Sequence, residues 1–114
     1  MSSNNDFILA RGGRAKETIE IDYTCLRKLI LILRSINHEL RQEIIKMLED
    51  GKKLTVTEIF VKLRVEQSMA SQHLAILRKA GILRTERTGK YIYYALNKER
   101  LKDLSALATR LLSC

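Results

Sequence analysis

The chain has no proline and no tryptophan, and its aromatic residues amount to 5%. So few turn-formers and aromatics disfavour a β-sandwich or barrel and favour helices. There are only two cysteines, Cys25 and Cys114. That is too few for a disulfide framework, and a four-thiolate zinc site is impossible within one chain. The longest aliphatic run, Leu29-Ile30-Leu31-Ile32-Leu33, falls far short of the roughly 18 residues of a membrane span. No membrane partner is expected. The opening residues, Met1-Ser2-Ser3-Asn4-Asn5-Asp6, lack the basic start and apolar stretch of a secretory signal, which points to the cytoplasm. No Gly-rich phosphate loop, His-carboxylate cluster or nucleophile-base pair appears, so neither an enzyme nor a cofactor is expected. Acid is also scarce: 13 Asp and Glu face 21 Lys and Arg, leaving +8. An excess of this size signals a polyanionic partner, with nucleic acid first among the candidates. What is present suffices for folding. Of 114 residues, 46% are apolar and 30% charged, the make-up of one globular domain and not of a basic disordered tail.

Residues 1–16 mix Ser, Asn, Gly12-Gly13 and basic side chains, and they read as a flexible N-terminal arm ahead of a domain over 17–114. From about residue 17 to 36 apolar residues recur at Ile19, Leu26, Leu29, Ile30, Leu33 and Ile36, the spacing of an amphipathic helix. A second stripe, Cys25, Leu29, Ile32 and Ile36, makes this helix apolar almost all round, more than one small core covers. Asn37 or His38 starts a second helix that stops at Asp50-Gly51. Thr55-Val56-Thr57-Glu58 is a capping box announcing a third helix. A fourth opens at Glu66-Gln67 after a linker of two or three residues, which is helix-turn-helix spacing. Residues 82–87 and 91–96, rich in β-branched and aromatic side chains, flank Thr88-Gly89-Lys90 and predict a β-hairpin with a basic tip. Asn97 caps a last helix whose Leu101, Leu104, Leu107, Ala108, Leu111 and Leu112 again form a wide apolar face. The fold class is therefore mainly α (α+β): a winged helix-turn-helix of five helices and a hairpin wing. Surplus apolar surface on the first and last helices points to a homodimer.

Projected at 100° per residue, the fourth helix places Ala70, Leu74 and Leu77 on one stripe and Ser68, Ser71, Gln72, Ala75 and Lys79 opposite, with Gln67 and Arg78 on a flank. Small residues permit approach to a major groove, while Ser and Gln bond phosphates or base edges. Residues 67–91 hold five basic side chains (Arg78, Lys79, Arg84, Arg87, Lys90) against Glu86 alone, half of the net charge.

Residues 67–81 (Gln-Ser-Met-Ala-Ser-Gln-His-Leu-Ala-Ile-Leu-Arg-Lys-Ala-Gly), with Arg87-Thr88-Gly89-Lys90 and Tyr94-Ala95-Leu96, resemble the recognition helix and wing of the ArsR/SmtB-type winged-helix repressors. Leu40-Arg41 through Met47-Leu48 and Val56-Thr57-Glu58-Ile59 extend the likeness, which spans residues 25–114. The resemblance implies a homodimer joined by its first and last helices. On that reading Cys25, Leu29, Ile32, Ile36, Leu104, Leu107 and Leu111 lie at the interface. It also implies double-stranded DNA as partner, a two-fold symmetric operator with half-sites about one turn apart. Gln67, Ser68, Ser71, Gln72, His73, Arg78, Lys79, Arg87 and Lys90 are then the DNA-binding residues. This chain departs from its metal-sensing relatives. Their Cys-x-Cys pair aligns with Phe60 and Lys62, and their last-helix ligands with Lys98, Arg100, Leu111 and Cys114, so no metal site of the usual kinds is expected.

Two alternatives stay open for His73, which projects near the buried stripe: a histidine bonded to a neighbour, or a phosphate contact. Tyr91, Tyr93 and Tyr94 lie along one strand so that two of them share a face, and the core is the expected place for most of the three. The function expected is a sequence-specific DNA-binding transcriptional regulator, a homodimeric repressor of its own operon, with no inducer legible. Two other readings compete. One is a winged-helix protein-interaction module without specific DNA binding. The other is a redox-responsive repressor using Cys25 and Cys114 as a thiol switch.

Overall fold

The computed structural model describes residues 18–114; the arm expected over 1–16 lies outside them. Among the described residues the order is α1 (Tyr23–Ile36), α2 (Glu39–Met47), β1 (Leu54–Thr55), α3 (Val56–Leu63), α4 (Gln67–Lys79), β2 (Leu83–Thr88), β3 (Tyr91–Leu96) and α5 (Lys98–Leu112). This is the winged helix-turn-helix that spacing and resemblance both predict. No described helix is long and apolar enough to cross a membrane.

The helix boundaries follow capping chemistry. α1 begins at Tyr23 and not near residue 17, because the Asp22 carboxylate accepts from the Cys25 N–H at 3.1 Å and so caps it there. Ahead of it, Ile19 and Ile21 alternate with acids in a segment of no regular secondary structure. The free carbonyls at the end of α1 are met by side chains of α2. Arg41 Nε donates to Ser35 O at 2.6 Å and Gln42 Nε2 to Ile36 O at 2.9 Å, which fixes the angle between the two helices. His38 caps α2 itself, its Nδ1 accepting from the Leu40 N–H at 3.1 Å. The Thr55–Glu58 capping box on α3 forms as its pattern predicts.

β2 and β3 pair antiparallel from Leu83↔Leu96 to Thr88↔Tyr91 around the two-residue turn Gly89-Lys90. Gly89 alone in that turn has positive φ, +62°, as a type II′ hairpin turn requires. The sheet has a third strand that the periodicity did not reveal. β1, two residues long, pairs with β3 through Leu54↔Tyr94 and Thr55↔Tyr93 and ties the wing to the start of α3.

The core comprises Ile44 of α2 and Leu48 at its C-cap, Leu54, Ile59 of α3, Leu74 and Leu77 of α4, Ile82, and Leu83 and Leu96 of the wing. α1 lies on it by Ile32 and Ile36, and α5 by Leu101 and Leu104. That arrangement corrects the expected division of α1. Of the stripe assigned to a partner, Ile32 and Ile36 pack on this chain's own core, while Leu26, Ile30 and Leu33 of the other stripe are exposed, as is Tyr23 at the start of the helix. Both stripes have helical spacing, so periodicity could not tell which one faces inward. Leu104 likewise serves the chain's own core. Cys25 and Leu111 remain exposed, Leu29 and Leu107 half-buried.

Candidate nucleic-acid interface

α3 and α4 are joined by Arg64-Val65-Glu66. Arg64 sits in the left-handed region at φ +59°, and the Val65 N–H returns to Phe60 O at 3.3 Å, turning the chain sharply enough for α4 to cross α3. Glu66 starts α4 without a side-chain cap bond. Ala70, Leu74 and Leu77 are buried and hold the helix against the core. Gln67, Ser68, Ser71, Gln72, Ala75, Arg78 and Lys79 are all exposed, so the small polar face inferred from the projection is turned to solvent. No large apolar side chain stands in its centre; Met69 and Ile76 are exposed on its edge.

The far end of α4 is closed by a Schellman motif. Gly81 N–H donates to Arg78 O and Ile82 N–H to Leu77 O, both at 2.9 Å, with Gly81 at φ +78°. Asn97 locks this corner: its Nδ2 donates to Gly81 O at 3.0 Å while its Oδ1 accepts from the Arg100 N–H at 3.3 Å, capping α5. The recognition helix, the wing and the last helix are thus fixed to one another within a few residues.

On the wing, Arg84, Arg87 and Lys90 are exposed. Glu86, the single acid of the region, is bound by Lys53 Nζ at 2.7 Å, and that hydrogen bond and charge hold its carboxyl below its ordinary range. The surrounding cations are left for an external anion. Lys53 lies 33 residues away in sequence, beyond any local pattern. Lys90 Nζ stands 5.5 Å from the Tyr91 ring centroid. Of the three hairpin tyrosines only Tyr94 packs on the core; Tyr91 is exposed and Tyr93 half-buried, their rings 6.5 Å apart. The placing of most of them in the core is corrected accordingly. Residues 87–92, around the tip of the hairpin, are all exposed.

His73 stands apart from the other DNA-binding candidates. It is half-buried, its Nδ1 lies 3.1 Å from Arg41 Nη1, and its ring centroid is 4.6 Å from that of His38. Since Arg41 only donates, Nδ1 is the acceptor and the proton is assigned to Nε2. Burial, then the charges of His38 and Arg41, lower its pKa. The geometry matches the alternative of a histidine bonded to a neighbour: through Arg41, His73 links the recognition helix to the end of α1. Arg41 was missed in the sequence because nothing local marks a contact across 32 residues.

Cys25 and Cys114 are exposed thiols. Among the described residues no three of His, Cys, Asp and Glu come together.

Comparison with known proteins agrees with this geometry. The family described as "Bacterial regulatory protein, arsR family" matches residues 38–85, from the cap of α2 into β2. The transcriptional activator HlyU of Vibrio cholerae is 34% identical over 84 residues, covering 74% of this chain and 77% of that protein. The transcriptional repressor PagR of Bacillus anthracis is 33% identical over 88 residues, covering 77% and 88%. The solved structure of HlyU superposes with a TM-score of 0.61 at 33% identity, covering 77% of this chain and 95% of that one. That of PagR does so with 0.62 at 32%, covering 75% and 98%. A Mycobacterium bovis domain described as a homodimeric winged helix-turn-helix shares the fold, with a TM-score of 0.68 at 19% identity over 87% of this chain and 91% of that one.

Proposed function

The chain belongs to the ArsR family of bacterial regulatory proteins and is a DNA-binding transcriptional regulator, and from that premise we propose how it engages its operator. α4 enters the major groove with Gln67, Ser68, Ser71 and Gln72 near the base edges, while Arg78, Lys79, Arg87 and Lys90 hold phosphates on either side. The observation that carries this reading is the exposed, small-residue polar face of α4, rigidly joined by the Gly81–Asn97 corner to a wing whose only acid is neutralised. His73 acts as a positioning residue for that helix and not as a phosphate contact.

The working unit in this proposal is a homodimer on a two-fold symmetric operator, assembled through α1 and α5. Tyr23, Leu26, Ile30 and Leu33 recur at three- and four-residue steps along α1 and are exposed, as are Leu111 and Leu112 at the end of α5. Such surface on a small chain marks an interface. The named relatives include an activator and a repressor. Repression of its own operon is the reading proposed here, since a regulator seated on its own upstream DNA blocks transcription without needing a contact to polymerase.

Titrating labelled duplex from the gene's own upstream region against random duplex tests this, over a range of salt. Specific binding tighter by a factor on the order of 10³ or more is expected. Equal affinity at every salt concentration would leave only a basic interaction module. Gln72→Ala should shrink the difference between the two duplexes. Lys90→Ala should weaken both and lower the magnitude of the salt slope by about 1.

A further inference from the structure

A cleft of about 490 Å³ opens between the second half of α1, the last turn of α4 and the start of α5. This lies within the size range of small-molecule sites. Five cations line it, Lys28, Arg34, Arg41, Lys79 and Arg100, and no acid does. The salt bridges among the described residues, Lys46–Glu43 and Lys53–Glu86, involve none of the five. One of the cations is held in place by hydrogen bonds. Arg41 is bonded to Ser35 O at 2.6 Å and lies 3.1 Å from His73 Nδ1. The Arg100 guanidinium lies against Gly81, close enough that an added Cβ there would stand 3.1 Å from it. Between the charges the wall is apolar, formed by Leu31, Ile32, Ile76 and Ala80. Leu31 and Ile76 are 62% and 42% exposed, and the fold gives neither a partner of its own. Leu31 projects roughly 120° round α1 from the Tyr23–Leu33 stripe, so a second copy seated on that stripe does not account for it.

Like charges gathered round an apolar floor repel one another and leave hydrocarbon in water; a ligand with a compact anionic head and an apolar body relieves both costs. We propose that this cleft binds a small amphipathic organic anion and that its occupancy weakens DNA binding. The second half rests on the DNA-binding reading above. Lys79 belongs both to the cleft and to the outer face of α4, and Ile76 and Ala80 form the last turn and cap of that helix. An anion held there neutralises Lys79 and competes with phosphate for it. By linkage, DNA should in turn weaken the anion.

Decanoate, decanol and inorganic phosphate separate the contributions. In calorimetry on the full chain without DNA, decanoate should bind saturably at one per chain, decanol at least about tenfold more weakly, and phosphate without saturation. Amide NMR shifts should centre on Ala80 and Gly81, and Lys28→Glu, which lies across α1 from the Tyr23–Leu33 stripe, should weaken decanoate about tenfold while leaving the melting temperature and oligomeric state unchanged. Equal binding of decanoate and decanol, phosphate binding as tight as decanoate, shifts centred on Tyr23–Leu33, or decanoate affinity that vanishes as chain concentration rises would each overturn the site. The last outcome would mean that a second copy fills the cleft. With upstream DNA, saturating decanoate should lower affinity at least about fivefold; unchanged affinity overturns the coupling. Failure of the chain to bind DNA without decanoate refutes the DNA reading instead, and calorimetry distinguishes the two.

Discussion

The segment from α2 to the end of the wing and the two flanking helices, α1 and α5, are built from the same aliphatic residues, yet they use them oppositely. In the first region the stripes close on one another: Ile44, Ile59, Leu74, Leu77 and Ile82 have no exposed surface. In the flanking helices almost nothing closes. α5 has no buried residue, the only one in α1 is Ser35, and Leu111 and Leu112 are 70% and 71% exposed. The segment from α2 to the wing is thus closed by contacts within the chain, while the flanking helices touch its core by Ile32, Ile36, Leu101 and Leu104 and leave most of their other apolar side chains exposed. Charge does not divide along the same line: residues 39–96 sum to +4, with half of the net +8 inside 67–91, while α1 carries +3 and α5 +2.

The contrast can be broken from the inside first. Leu74→Ala removes a fully buried side chain of α4 and should cost about 3 kcal/mol in urea unfolding; a loss below 1 kcal/mol would mean the recognition unit is not the tightly packed half. Leu26→Glu with Leu33→Glu should do the reverse, turning the proposed dimer into a monomer by sedimentation while far-UV circular dichroism stays unchanged. Operator affinity then drops at least about tenfold, because bivalency is lost. A dimer that survives both charges places the interface elsewhere. A smaller effect is expected where the regions meet. Gly81→Ala forces an L side chain into φ +78° with its Cβ about 3.1 Å from Arg100, and about 1–2 kcal/mol of stability should go; an unchanged unfolding midpoint would show that the corner yields.

The smallest expected effect concerns the Arg41–His73 link. Burial and the neighbouring charges lower the His73 pKa from its ordinary 6.5. The folded chain therefore favours neutral imidazole. Stability from this group is complete above pH 6.5 and is lost as pH falls through that value toward the lower folded pKa. Between pH 7.5 and 5.5 the native melting temperature should fall more steeply than that of His73→Gln, whose amide oxygen still accepts from Arg41 but does not titrate. Parallel slopes would remove His73 from the account.

Several features were legible because they are local. The Thr55–Glu58 capping box, Asn97 at the start of α5, Gly81 after α4 and the Ala70–Leu74–Leu77 stripe each lie within one or two turns of their partners, so residue type and spacing suffice. The start of α1 was misplaced because Ile19 continues the apolar spacing, although Asp22 caps the helix after it. β1 escaped notice because two residues show no period. The polar face of α4 was drawn correctly as a face, whereas His73 needed a partner from α2 before its place on the flank had meaning.

By itself the sequence determined the element order, the hairpin, the exposed polar face of α4 and the excess of apolar surface on α1 and α5. These depend on periodicity, caps and charge over short distances. Tertiary structure alone decided which stripe of α1 faces inward, that Lys53 neutralises Glu86, that Arg41 holds His73, and that five cations from four helices line one apolar cleft. Each of these joins residues far apart in the chain. Such pairings are set by how the helices pack, and helical spacing looks the same whichever neighbour a face meets.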